Sequence, residues 1–146
     1  MLGLDKIQIM PRAAMKKLAL YHVGQFRQRV QSGRDYNGVV FVPYTDAYSK
    51  KKAKSGRNVS PPDFTYSGRT LRNLKPFGII GKRYRLRFSG EYGAIVEGNA
   101  NRSKNKRNIK DGIPDSELDL MSDKLLTLLN LEIKKKLKPK VKIVVG

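Results

Sequence analysis

The chain has 146 residues, 39% of them hydrophobic, which is enough for one domain with a real core and excludes a wholly disordered polymer. Its 31 Lys and Arg against 12 Asp and Glu give a formal charge of +19. Such a field attracts nucleic acid, an anionic surface or an acidic protein neighbour, and it costs stability by self-repulsion until something neutralises it. Cysteine is absent, so disulfides and cysteine-based zinc sites are excluded. No apolar run approaches the roughly 20 residues that span a bilayer, so no membrane partner is expected. Residues 1–10 lack a basic stretch followed by a long apolar one, and no signal peptide is expected.

Pro11 suits the first turn of a helix. After it Met15, Leu18, His22, Phe26 and Val30 recur at three- and four-residue steps, with Lys16, Lys17, Arg27 and Gln28 between them. This spacing predicts an amphipathic helix over 11–32, stopped near Gly33. His22 is the only histidine and lies on the apolar face; it reads as a packed, hydrogen-bonded core residue, since no partner for metal or acid–base work is in view. Asn37-Gly38 signals a turn, and Val39, Val40, Phe41 and Val42 follow as a short strand or an extended packed segment. Thr45 can cap a helical turn over 46–50, placing Tyr44 and Tyr48 on one side. Residues 50–62 show no period. Lys50, Lys51, Lys52, Lys54, Ser55-Gly56-Arg57 and Pro61-Pro62 read as an extended basic arm.

Ser67 can cap a short helix carrying Leu71 and Leu74 inward, with Pro76 stopping it. Residues 77–88 predict an antiparallel hairpin turning at Gly81-Lys82. In its second strand Tyr84, Leu86 and Phe88 alternate with Arg83, Arg85 and Arg87, giving one apolar face and one arginine face. Residues 92–97 fit either a strand or a short helix. Residues 99–112 form a second basic loop with Arg102, Lys104, Lys106, Arg107 and Lys110. A last helix over 114–138 places Leu118, Met121, Leu125, Leu128, Leu129, Ile133 and Leu137 on its core face. Acids at its start and lysines at its end complement the helix dipole. Residues 139–146, with Val141, Ile143, Val144 and Val145, form an apolar tail suited to an edge strand or a contact between subunits.

The expected architecture is a single α+β domain over 1–146. A small antiparallel sheet packs with a long N-terminal and a long C-terminal helix, and extended basic arm loops reach outward. Nucleophilic catalysis needs a nucleophile with a base, a metal nuclease needs converging carboxylates, and phosphate-cradling loops need clustered glycines. None of these patterns stands in the sequence, so the expectation is neither an enzyme nor a cofactor binder. The basic segments can make phosphate contacts, and Tyr44, Tyr48, Tyr66 and Tyr84 can stack on bases, which suits a monomeric nucleic-acid-binding module.

A second reading comes from the order of the motifs. Asn37-Gly38, Phe41, Pro43-Tyr44, Tyr48, Lys52 and Lys54-Ser55-Gly56-Arg57 are followed by Phe64, Ser67-Gly68-Arg69, Leu71 and Leu74, then Tyr92-Gly93-Ala94 and the last helix. Over residues 11–138 this order resembles the virion-morphogenesis proteins of tailed bacteriophages, the tail-completion or head–tail joining group. Phe64 stands where that group usually has an aliphatic residue, and Ser67 where it has threonine. The Arg-Pro-Phe stretch often seen there before the last helix has only Arg107-Asn108-Ile109 as its counterpart. The resemblance implies a structural protein of the virion, assembled in the host cytoplasm into a neck ring of six or twelve copies. Its partners would be copies of itself, neighbouring portal, adaptor or tail-tube proteins, and non-specifically the DNA that passes through. In that setting Tyr44, Tyr48, Lys50, Lys51, Lys52, Lys54, Arg57 and Phe64 are expected to form a subunit-interface arm. Arg83, Arg85, Arg87, Arg102, Lys104, Lys106 and Arg107 are expected to face DNA or an acidic ring partner.

Overall fold

Among the described residues seven elements follow Pro11: α1 (Arg12–Gln31), α2 (Asp46–Lys54), α3 (Arg69–Arg72), β1 (Leu74–Ile80), β2 (Arg83–Phe88), α4 (Glu91–Ala100) and α5 (Asp115–Leu137). They are seen in a computed structural model that describes residues 10–64, 68–102 and 106–137. α1 is the spine. Its buried stripe runs Ala14, Met15, Leu18, Ala19, His22, Val23, Phe26, Arg29, Val30, at the three- and four-residue steps that put side chains on one face. The carbonyl of Pro11 accepts the N–H of Ala14 and Met15 at 2.9 and 3.1 Å, and Ser32 closes the far end through its N–H to Gln28. Gly33 then takes φ +80°, a left-handed turn that glycine enters without a Cβ clash.

α1 divides two apolar clusters. One gathers Val23, Phe26, Val30, Phe41, Leu71, Leu74, Val96 and Ile109, with Phe64, Leu86 and Phe88 half-buried against it. The other gathers Met15, Leu18, Met121 and Leu128, with Tyr21, Ile79, Tyr84 and Leu125. Burying each large side chain contributes roughly 1.5–3 kcal/mol, so these residues carry the fold.

β1 and β2 form a two-stranded antiparallel sheet with Leu74 opposite Phe88, Pro76 opposite Leu86 and Phe77 opposite Arg85. The register shifts between Phe77 and Ile80, where Gly78 sits at φ +60°. Tyr84, Leu86 and Phe88 turn toward α1 while Arg83, Arg85 and Arg87 are exposed. Arg27 of α1 fixes the hairpin's start: its Nε donates to Leu71 O at 2.9 Å, and a terminal nitrogen donates to Arg72 O and Leu74 O at 3.1 Å each. These carbonyls include the ones that α3, a single turn, leaves without a helical partner.

The α+β architecture is the expected one, with four differences in detail. The basic arm is not extended from residue 50: α2 continues through Lys54. Thr45 accepts the N–H of Tyr48 as its cap, Asp46 lies in the first turn and lysines in the last, so the dipole is complemented at both ends. Pro76 does not stop α3, which ends at Arg72; the proline lies inside β1, an edge strand that tolerates a missing N–H. The cap position of α3 is Gly68, while Ser67 lies outside the described residues. Residues 92–97, left open between a strand and a short helix, belong to helix α4, which agrees with one of the two alternatives.

The fourth difference concerns α5. Met121 and Leu128 are buried, but Leu118, Ile133 and Leu137 are exposed rather than in the core. α5 runs antiparallel to α1: Glu117 lies against His22 and Arg29, whereas Met121 and Leu128 meet Met15 and Leu18. At 1.5 Å per residue, roughly 16 Å of helix separates Glu117 from Leu128, so the last turns pass beyond the start of α1. The apolar tail expected over 139–146 lies outside the described residues.

Candidate assembly surface

The two basic segments that looked like free arms are pinned to each other through one aromatic ring. Lys52 on α2 is fully buried. Its Nζ donates to Asp63 Oδ1 at 2.6 Å and to the Tyr44 hydroxyl at 3.2 Å, and lies 4.6 Å from the Tyr44 ring centre. The same hydroxyl stands 3.2 Å from Asp63 Oδ1 and accepts the Asp63 N–H. From the second loop, the Arg107 guanidinium sits 4.7 Å from the Tyr44 ring centre and donates to Val42 O at 3.0 Å. Desolvation pulls the Lys52 ammonium down, but its hydrogen bonds to Asp63 and Tyr44 outweigh burial and hold its pKa above the ordinary lysine value. A lysine used as a nucleophile needs the opposite shift, so Lys52 is a charged anchor. Burial draws Arg107 below its usual value, and its Nε has no hydrogen-bond partner among the described residues.

A second buried ionic group joins α1, α5 and β2. Arg29 Nε donates to Glu117 Oε2 at 2.7 Å, and His22 Nε2 lies 3.1 Å from Glu117 Oε1, in ion-pair range but poorly aligned for a hydrogen bond. His22 Nδ1 is 3.1 Å from the Tyr84 hydroxyl. Burial, and then the Glu117 charge, push the Tyr84 hydroxyl up to about 12. Tyr84 therefore keeps its proton, and its hydroxyl can donate to Nδ1. Burial pushes the Glu117 carboxyl up, but His22 and Arg29 outweigh it and hold it below the usual carboxylate range. Every polar end here points at another member or at a backbone carbonyl, and the group serves packing. His22 is thus the core histidine the sequence implied, whereas Glu117 is more than a dipole-complementing acid.

What remains accessible is the outer side of the hairpin. Arg83 and Arg85 make no ion pair or hydrogen bond among the described residues. Arg87 lies 5.4 Å from the Phe77 ring centre. Beside this row, Phe77 is 54% and Ile80 77% exposed, and a shallow groove runs past Phe77, Ile80, Lys82, Arg83 and Arg85. A strand repeats every second residue at about 6.6 Å, so the row spans about 13 Å with like charges side by side. That arrangement is unfavourable until an anion meets it.

The expected interface residues therefore divide. Tyr48, Lys50, Lys51 and Lys54 are exposed on α2, and Arg57 is half-buried just after it. Tyr44 is half-buried, Lys52 is interior, and Phe64 packs against the first cluster at φ +55°, so these three act inside the subunit. Arg102 and Lys106 are exposed, Lys104 lies outside the described residues, and Arg107 is interior, which corrects its place on an anion-facing surface. The loop around Arg107 is anchored, since Asn108 and Ile109 are buried, Tyr36 N–H donates to Asn108 O, and Lys110 pairs with Glu97 at 2.9 Å. Asp63, Arg29 and Glu117 were missed. The one available signal was that acids are few here, so each of the 12 is a candidate for a buried partner. Among the described residues there is no group of acids and histidines able to hold a metal, and no helix long and apolar enough to cross a membrane. Comparison of the chain with protein-family models, with curated proteins and with solved structures finds no match.

Proposed function

We propose that the chain is a structural virion protein of a tailed phage, forming or joining a ring at the head–tail neck through contacts between subunits and between rings around the DNA path. One observation carries this reading beyond the motif order: the unneutralised arginine row lies beside bare Phe77 and Ile80 on a sheet face that no other described element covers. A surface combining exposed apolar side chains with unpaired charge of one sign suits a protein-protein contact, and a +19 protomer gains stability when neighbours or DNA neutralise it. The exposed lysines of α2 and the overhanging end of α5 add further contact surface.

The test is genetic and microscopic. Deleting the gene from its phage should leave filled heads and tails that fail to join, and the protein supplied in trans should restore joining. Intact, infectious particles from the deletion would reject the assignment. The alternative is a monomeric nucleic-acid-binding module, favoured by Arg87 stacked on Phe77 within the basic row. Under it, the protein stays monomeric on DNA and its affinity falls steeply with salt.

A further inference from the structure

We propose that the arginine row of one copy docks on the outer face of α5 of the next copy, where Asp115, Asp119 and Asp123 form an acidic row. The inference rests on the ring reading and gives that ring its contact. α5 buries Glu117, Met121 and Leu128 on one side. A helix advances 100° per residue, so Asp115, Asp119 and Asp123 lie on the opposite, solvent side at four-residue steps. All three are exposed, and none has a side-chain partner among the described residues. The helix dipole accounts for Asp115 in the first turn but fades beyond it, so Asp119 and Asp123 stand as carboxylates without that explanation in a chain with 31 cations and 12 acids.

The two rows match in length. Four helical residues rise about 6 Å, so the acids span about 12 Å, against about 13 Å for Arg83, Arg85 and Arg87. Both rows border exposed apolar side chains: Phe77 and Ile80 beside the arginines, Leu126 and Ile133 further along the outer side of α5. DNA would satisfy the arginines but leave the acids facing solvent and Ile80 against phosphate. A second copy satisfies both rows. Within the ring reading the contact runs head-to-tail, the arginine row of one copy on the acid row of the next, the type that closes into a ring by rotation.

The absence of cysteine makes the test clean. A chain carrying Arg85→Cys is mixed with one carrying Asp119→Cys, and the control mixes Arg85→Cys with Gln28→Cys, an exposed position on α1. The mixed disulfide should form about tenfold or more faster than the control at low salt, with the advantage lost near 1 M salt. Equal rates overturn the contact. In parallel, Arg83, Arg85 and Arg87 are changed to Glu in one full-length chain, and Asp115, Asp119 and Asp123 to Lys in another. Circular dichroism confirms that both fold. Each alone should self-associate about tenfold or more weakly than the unmodified chain by sedimentation, and the two mixed should recover association in alternation. No recovery overturns the proposal, as does an arginine variant that loses only DNA binding. A closed ring of the unmodified chain with no cross-linking advantage would reject this contact and leave the ring standing; particles that join without the protein would reject the ring itself.

Discussion

Replacing Glu117 by Ala should destabilise the fold strongly. The carboxylate is the common partner of Arg29 and His22, and the Arg29 and Glu117 side chains are only 7% and 5% exposed. Removal leaves a guanidinium in the interior with its only carboxylate contact among the described residues, at 2.7 Å, gone. Breaking a buried pair from one side costs about 3–5 kcal/mol, because the surviving charge stays desolvated without compensation. Against a total of about 5–15 kcal/mol for a domain, that is a large fraction. At roughly 2–4 °C per kcal/mol for a chain of this size, the melting temperature should fall by about 10 °C. Urea unfolding followed by circular dichroism measures it, in a cycle with Arg29→Met and the double variant. The double should recover about 2 kcal/mol or more relative to the sum of the singles, since it strands no charge. The pH dependence has a defined sign. Glu117 has a lower pKa folded than unfolded, so its contribution is complete above the unfolded value near 4.5 and lost as pH falls through the folded one. Glu117→Ala should lack that acid limb. A variant within about 1 kcal/mol of wild type, or an additive cycle, would refute the assignment of this group as a joint between α1 and α5.

Lys52→Ala should destabilise by about 2–5 kcal/mol by leaving Asp63 and the Tyr44 hydroxyl half-paired, and thermal unfolding reads the loss. Lys52 has a higher pKa folded than unfolded, so its contribution is complete below about 10.5 and lost as pH rises through the folded value; Lys52→Met should flatten that alkaline limb. Tyr84 acts with the same sign, favouring its neutral form in the fold, and its phenolate absorbance should appear only near pH 12. Gly33→Ala should cost about 2–4 kcal/mol, because the residue sits at φ +80° and a Cβ there would stand 2.7 Å from Pro61 Cβ and 2.9 Å from Pro62 O. Changing Arg83, Arg85 and Arg87 to Gln should leave the melting temperature unchanged or slightly raised at low salt, since repulsion is removed and nothing buried is lost; a marked drop would show that the row holds the hairpin together.

Periodicity made the long elements readable. The stripe of α1 and the alternation in β2 are unbroken patterns, and each alone fixes which side is buried. Three things were not readable. Lys52 stands in a run of lysines with identical local context, and only Asp63 and Tyr44, brought together by the turn after α2, distinguish it. Glu117 had a sufficient local explanation in the helix dipole, which hid its contact 88 positions away with Arg29. The apolar residues of α5 outnumber what α1 can cover, so Leu118, Ile133 and Leu137 read as core from spacing and are surface in the fold. Burial set by distant elements leaves no trace in local spacing.

Among the described residues the sheet has only two strands and no interior one. Each strand of the hairpin offers an unmatched row of N–H and C=O groups along its outer border, a template onto which any extended chain can add. Three features blunt that template: Pro76 removes one donor from β1, the irregular register after Phe77 bends it, and the arginines make a second hairpin repel the first. The last of these is only as strong as the solvent allows. At about 1 M salt the screening length shrinks to about 3 Å, and the guard then rests on one proline and one bulge. Concentrated stocks of the protein should therefore stay clear at low ionic strength and turn fibrous or turbid at high ionic strength, the reverse of what salt does to most crowded basic proteins mixed with nucleic acid.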